Sequence, residues 1–316
     1  MDDRLSRRDF LLVGLAAGAG LAGLSALRSL KPALRLKTLH PTTLKPGVVV
    51  AHGEDPAMIT RAAIQELGGM EGLVSRGDVV VIKPNIAWDR PPELAANTNP
   101  DVVAELVRLC RAAGARRVKV FDHACSPNPA PSYERSGIAE AARRAGADVY
   151  YVNRDAFHLL PIPGAAALPE WTFYEEVLTC DVLINVPILK HHGTSRLTMA
   201  LKNVFGMVGG DRGMLHRDIH RKMVDLNRVV KVDLTVLDAY RVLRRHGPTG
   251  GRLDDVDNSH EGARRVIVSR DPVAADAYGA ELFGLKPSEV GFIREGYDAG
   301  LGTLDFRSLG LKEIVA

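Results

Sequence analysis

The sequence predicts an α/β protein, with mainly parallel sheets flanked by helices and two lobes around a cleft. Three observations predict it: short continuous apolar runs recur along the chain, amphipathic stretches lie between them, and glycines mark the joins. Continuous runs, as opposed to alternating ones, are what strands buried on both faces require. Their alternation with helical patterns is the mark of βαβ units and a parallel sheet.

In chain order, strands are expected at 48–51, 78–82, 117–121, 148–152, 181–186, 233–237 and 265–268. Each is rich in Val, Ile or Leu and ends near a turn residue. Helices are expected at 57–67, 101–113 and 138–145, where apolar positions recur at helical spacing. Gly114, Gly137 and Gly146 break the pattern between elements. The Pro- and Ala-rich stretch 161–169 reads as the crossing between an N-terminal lobe (45–160) and a C-terminal lobe (161–316).

The first 28 residues stand apart. Arg7-Arg8 precede Phe10 and an apolar run rich in Ala, Gly and Leu, the form of a twin-arginine export signal. Such a signal implies export of the folded chain by the twin-arginine translocation machinery to the periplasm or another extracytoplasmic space. Leu24-Ser25-Ala26 is a loose small-x-small site. Either Ala26 is the last residue removed or the segment stays as an anchor, which would be the chain's membrane contact.

The 316 residues are enough for one large α/β domain or two lobes. Charge is nearly balanced, 41 Lys+Arg against 38 Asp+Glu, which argues against a nucleic-acid partner. Cys110, Cys125 and Cys180 are far apart with no C-x-x-C pair, so no cysteine-ligated iron–sulfur cluster is expected. No Walker loop, G-x-S-x-G elbow or G-x-G-x-x-G follows a strand.

In parallel sheets ligands collect where strands end at their carboxyl edges. Lys83, Asn85 and Trp88 follow one predicted strand and Asp122 and His123 another, while Asn185 ends a third with Lys190-His191-His192 just beyond. Asp238 and Tyr240 follow a fourth and Asp271 a fifth. Residues 190–222 carry seven Lys/Arg against two acids, with four histidines, which leaves the rest of the chain after the signal net acidic. Gly193, Gly206, Gly209 and Gly210 would let the backbone wrap an anion such as carboxylate or phosphate. A solvated basic helix face accounts for Arg217, Arg221 and Lys222. It accounts less well for Lys190-His191-His192 and for Lys202-Asn203, set among apolar residues, because a long cation in apolar surroundings needs a partner.

Two readings of the histidines stand side by side. His216 and His220 are four apart and would share a helix face, with His191 and His192 in a nearby loop, so zinc, nickel or iron has candidate ligands. The pair lacks a metalloprotease glutamate, and adjacent imidazoles point apart, which favours ordinary solvated or hydrogen-bonded side chains.

The run Val186-Pro187-Ile188-Leu189-Lys190-His191-His192, followed by Thr198 through Gly206, resembles the core motif of the domain-of-unknown-function-362 family. Val81-Ile82-Lys83-Pro84-Asn85, the stretch from Asp233 to Ala239, and Asp271-Pro272-Val273-Ala274-Ala275-Asp276-Ala277 resemble the same family, so the likeness extends over about 48–302. Members often carry twin-arginine signals, and some add a ferredoxin-like cluster domain whose cysteines are missing here. The resemblance implies a fold like that of the nickel-pincer lactate racemase family, two α/β lobes with a site between. It implies cofactor or divalent-metal contact at Lys190, His191 and His192, and carboxylate contact at Lys83 and Lys202. Asn85, Asn203, Arg212, Asp238, Asp271 and Asp276 complete the expected ligand-binding set, with His191 or His192 moving a proton. The expected function is an enzyme acting on a small anionic ligand. A non-catalytic solute- or cofactor-binding protein and a redox-enzyme maturation factor are the alternatives.

Overall fold

The structure is a computed structural model and describes residues 36–316; the twin-arginine segment lies outside the described residues. Lys37–Ala316 pack as one compact unit. Its strands are β1 (Val48–His52), β2 (Val79–Pro84), β3 (Arg117–Val120), β4 (Asp148–Val149), β5 (Phe157–Pro161), β6 (Glu170–Tyr174), β7 (Val182–Val186), β8 (Ile188–His192), β9 (Arg196–Thr198), β10 (Leu234–Leu243), β11 (Val256–Asp257), β12 (Arg265–Ser269) and β13 (Leu311–Val315). The helices are α1 (Pro56–Leu67), α2 (Pro100–Ala112), α3 (Ala130–Arg135), α4 (Ile138–Arg144), α5 (Glu175–Thr179), α6 (Ala200–Asn203), α7 (Ile219–Val229), α8 (Pro272–Leu282) and α9 (Gly291–Asp298).

An 11-stranded sheet runs β13-β1-β12-β10-β7-β2-β3-β4, with β8 and β11 on β10 and β9 on β8. The fold is therefore mixed α/β with a large, mostly parallel sheet. β12 runs against both β1 and β10, while β10, β7, β2, β3 and β4 are parallel neighbours. All seven predicted strands are present. The expected division at 160/161 does not interrupt the sheet, because β7 from the C-terminal side pairs β2 from the N-terminal side over Val80↔Val182 to Pro84↔Val186. Residues 161–169 serve instead as the turn between β5 and β6, closed by Ile162 N–H donating to Pro169 O at 2.8 Å.

The period-2 alternation of strands divides the core. Val80 and Ile82 of β2, Val182 and Ile184 of β7, and Leu234 and Val236 of β10 pack with Ile59, Ile64 and Leu67 of α1 and Val103, Leu106 and Val107 of α2. Each such side chain contributes about 1.5–3 kcal/mol when fully buried. The alternate residues Val81 and Lys83, with Leu183 and Asn185, face the other way, and Lys83 pairs with Asn185 in register. α1, α2 and α8 share one start signal: Asp55, Asn99 and Asp271 accept backbone N–H bonds as N-caps, and proline follows each.

A candidate anion-binding cavity at the carboxyl edge

β7 ends at Val186, Pro187 breaks the strand, and β8 continues beside the upper half of β10 before turning back as β9. The hairpin stands above the carboxyl edge of β2 and β7. Its alternation decides which side chains enter the site. Lys190 and His192 share one side of β8 and line a cavity of about 630 Å³. His191 faces the other way, and its Nδ1 accepts the Gly247 N–H at 3.1 Å.

The floor of the cavity is built by α6, docked on the strand ends. Asn185 Nδ2 donates to Ala200 O at 3.0 Å, and Asn203 Nδ2 donates to Asn185 Oδ1 at 2.8 Å and to Lys83 O at 3.2 Å. From beneath, the buried carboxylate of Asp276 accepts the N–H groups of Ala200 at 2.7 Å and Leu201 at 3.0 Å. Burial pushes the Asp276 carboxyl up to about 8. This clamp places Lys202 and Asn203 at the cavity.

Three lysines meet there, each in a different electrostatic state. Lys83, 1% exposed, sits 2.8 Å from Asp122 Oδ1 and donates to both Asn203 O and Asn203 Oδ1 at 2.8 Å. Burial lowers its pKa, and Asp122 opposes that shift. Lys190, also 1% exposed, donates to Asn85 Oδ1 at 3.2 Å and to Ala96 O, both neutral acceptors. Burial, reinforced by the Lys202 charge, brings it down to about 7. Lys202 is 7% exposed and lies 4.6 Å from the centre of the Phe205 ring, with no hydrogen-bonding or ionic partner among the described residues. Burial lowers it to about 8. At the rim the Arg212 guanidinium donates to the carbonyls of His123 and Ala124, both at 2.6 Å, and of Phe205 at 3.4 Å.

His192 is held as one tautomer. Its Nδ1 accepts the N–H groups of Thr194 (3.1 Å) and Ser195 (3.3 Å), and burial with the neighbouring lysines pushes it down to about 3. The ring is therefore neutral with its proton on Nε2, a hydrogen-bond donor and not a base. His216 also lines the cavity, its ring 6.1 Å from that of His192.

The structure brings Lys83, Asn85, Lys190, His192, Lys202, Asn203, Arg212 and His216 together. It does not bring in His191, His220, Asp238, Asp271 or Asp276 as lining residues. Asp271 is separated because β12 is antiparallel, so its end lies at the opposite edge; there Asp271 caps α8 and accepts the Thr303 N–H at 2.9 Å. Asp238 accepts the N–H groups of Asn99 (2.7 Å) and Tyr240 (2.9 Å), with burial raising it to about 6. His216 and His220 are not on one helix: the 3-10 turn Arg212–His216 ends before α7, with Asp218 left-handed between them. His220 stacks on Phe292 instead.

Among the described residues no group of three or more His, Cys, Asp or Glu side chains is placed to hold a metal ion. With Nδ1 of His191 and of His192 each accepting a backbone N–H, and the two rings on opposite sides of β8, the expected donor set does not fit a protein-held metal. Cys110, Cys125 and Cys180 are free thiols. Cys125 lines the cavity as an exposed thiol.

Asp122, read from the sequence only as a polar strand tip, is the counter-ion of Lys83, and its Oδ2 accepts the Ile86 N–H at 2.6 Å. Gly206, read from the sequence as a glycine that lets the backbone wrap an anion, instead packs against this ion pair. A Cβ there would stand 1.9 Å from Asp122 Oδ1 and 2.5 Å from Lys83 Nζ.

Comparison with known proteins agrees with the likeness read from the motifs. Over 245 residues the chain is 27% identical to the thylakoid-associated protein sll1697 of Synechocystis sp., covering 73% of this chain and 70% of that protein. A Thermotoga maritima protein of known crystal structure superposes with a TM-score of 0.41 at 14% identity, over 62% of this chain and 54% of that one. The lactate racemase apoprotein of Thermoanaerobacterium thermosaccharolyticum gives 0.37 at 12% identity, over 67% and 52%. The chain thus spans about half the length of both solved structures, and neither is close enough to transfer chemistry. The family described as "Domain of unknown function (DUF362)" matches residues 80–281, most of the described chain and every lysine of the cavity, so the protein belongs to the DUF362 family.

Proposed function

We propose that the chain is an exported enzyme that binds a small carboxylate or phosphate compound in the lysine-lined cavity and acts on it there. The observation that carries the binding is the Lys202 ammonium, buried at the cavity wall without a counter-ion among the described residues. An isolated buried charge is strongly disfavoured, so an anion supplied from solution relieves it. Volumes of about 300–1,000 Å³ are usual for small-molecule sites, and this cavity falls among them.

Proton transfer, expected of His191 or His192, suits Lys190 better. An amine brought down to about 7 gives up or takes a proton at neutral pH, whereas His192 is locked as a donor. Lys83 and Asn203 then position the floor, and His192 Nε2–H supplies a fixed dipole. Export rests on Arg7-Arg8 and the apolar run that follows.

Binding is tested by thermal-shift measurement of the purified chain with carboxylates and phosphate esters, compared with Lys202→Met. Nuclear magnetic resonance of the recovered compound then tests catalysis. An unaltered compound replaces the enzyme reading with the non-catalytic one, and no stabilisation by any anion removes both. Fractionation of cells expressing the chain with Arg7→Lys and Arg8→Lys together tests export.

A further inference from the structure

The charge balance of the cavity goes beyond the sign of its ligand. Lys83 is matched by Asp122 at 2.8 Å. The Arg212 guanidinium is spread over three carbonyls at the rim, next in the chain to the exposed Asp211. Lys190 and Lys202 are left, both buried, both lining the cavity, and neither within ion-pair distance of a carboxylate among the described residues. Beside them Thr198 contributes a buried hydroxyl with no hydrogen-bond partner among the described residues.

We infer that the ligand bears two negative charges placed to meet both the Lys190 and Lys202 ammoniums, with the Thr198 hydroxyl and His192 Nε2–H as further donors. This rests on the anion-site reading above. A monoanion would match one of the two lysines and leave the other without a carboxylate partner, to shed its proton or stay charged at a cost. A dianion matches both, and each contact is a charge-assisted hydrogen bond. Phosphate monoesters and dicarboxylates share this chemistry. The cavity of about 630 Å³ is far larger than a headgroup alone needs, and Ala87, Trp88, Phe205 and Pro248 supply apolar wall for an organic body.

Isothermal titration calorimetry of the full chain, at neutral pH and fixed ionic strength, tests this with matched probes. Succinate is compared with its monomethyl ester, and glycerol 1-phosphate with its methyl phosphodiester. At least one dianion should bind about tenfold or more tightly than its singly charged partner, as expected for one additional charged hydrogen bond. The pair showing the larger margin identifies the source as phosphate ester or dicarboxylate. Lys190→Met and Lys202→Met should each erase the margin. Lys202→Gln serves as the second variant, and circular dichroism reports folding. Equal affinity within both pairs, with dependence on Lys202 retained, overturns the two-charge inference and leaves the anion site standing. No binding by any of the four removes the anion site as well.

Discussion

Lys83 Nζ donates to both the main-chain and the side-chain oxygen of Asn203, 120 residues further along the chain, at 2.8 Å each. The Asn203 amide returns a bond to the Lys83 carbonyl at 3.2 Å. This reciprocal contact joins the end of β2 to the end of α6, and it distinguishes the ion-paired lysine of the cavity from Lys190 and Lys202, which have no carboxylate partner among the described residues.

Lys83→Met should destabilise the protein by about 3–5 kcal/mol, because it leaves Asp122 buried without its cation. Urea unfolding followed by circular dichroism measures it. A loss within error of zero would mean that Asp122 is satisfied without the lysine.

Lys202→Met should act in the opposite direction. It removes a buried ammonium with no counter-ion among the described residues and keeps most of the volume, so the free protein gains up to about 3 kcal/mol at neutral pH. Anion-induced stabilisation should vanish in the same variant. The same unfolding experiment, with and without succinate, reads both effects.

Anion affinity should fall as pH rises. Lys190 at about 7 and Lys202 at about 8 lose their charge in turn above those values, and the anion binds the charged forms. A dicarboxylate that stays ionised should bind at least about tenfold more weakly at pH 9 than at pH 6.5. The stability of the free protein follows the reverse sign. Both groups have folded values below the ordinary lysine value of 10.5, so the unfolded chain binds more protons and stability rises with pH from about 7 towards 10.5. Calorimetric titrations and melting curves across this range measure the two slopes.

Gly206→Ala should open the cavity floor. Its Cβ would fall within bonding distance of the Asp122 carboxylate, so the Lys83–Asp122 pair must separate or α6 must lift. Overpacking of this kind costs about 1–3 kcal/mol, and anion-induced stabilisation should be lost with it. Unchanged melting and binding would show that the floor adjusts.

Asp276→Ala should cost at least about 2 kcal/mol by leaving the Ala200 and Leu201 N–H groups without acceptors. Because these groups anchor the start of α6, anion binding through Lys202 should weaken too. Asp276→Asn, which keeps one carbonyl acceptor, should lie between the alanine variant and the parent in unfolding measurements.

Much of the architecture was legible in the chain itself. Continuous apolar runs such as Val79 to Ile82 and Val182 to Ile184 are buried here as interior strands, and their period places Lys83 on the face away from α1 and α2. The meeting of Lys83 and Asp122 at one edge was legible for the same reason: strand ends of a parallel sheet share one edge. What only the tertiary structure decided depends on strand direction, strand register and packing. β12 runs against its neighbours, which sends Asp271 to the far edge, and no local pattern states direction. β8 is a strand and not a loop, and its alternation admits Lys190 and His192 while excluding His191. Neutralisation of Lys83 by Asp122, while Lys202 has no ionic partner among the described residues, follows from distances between segments far apart in the chain. Local sequence reports which side chains are charged; the fold determines which of those charges meet a partner.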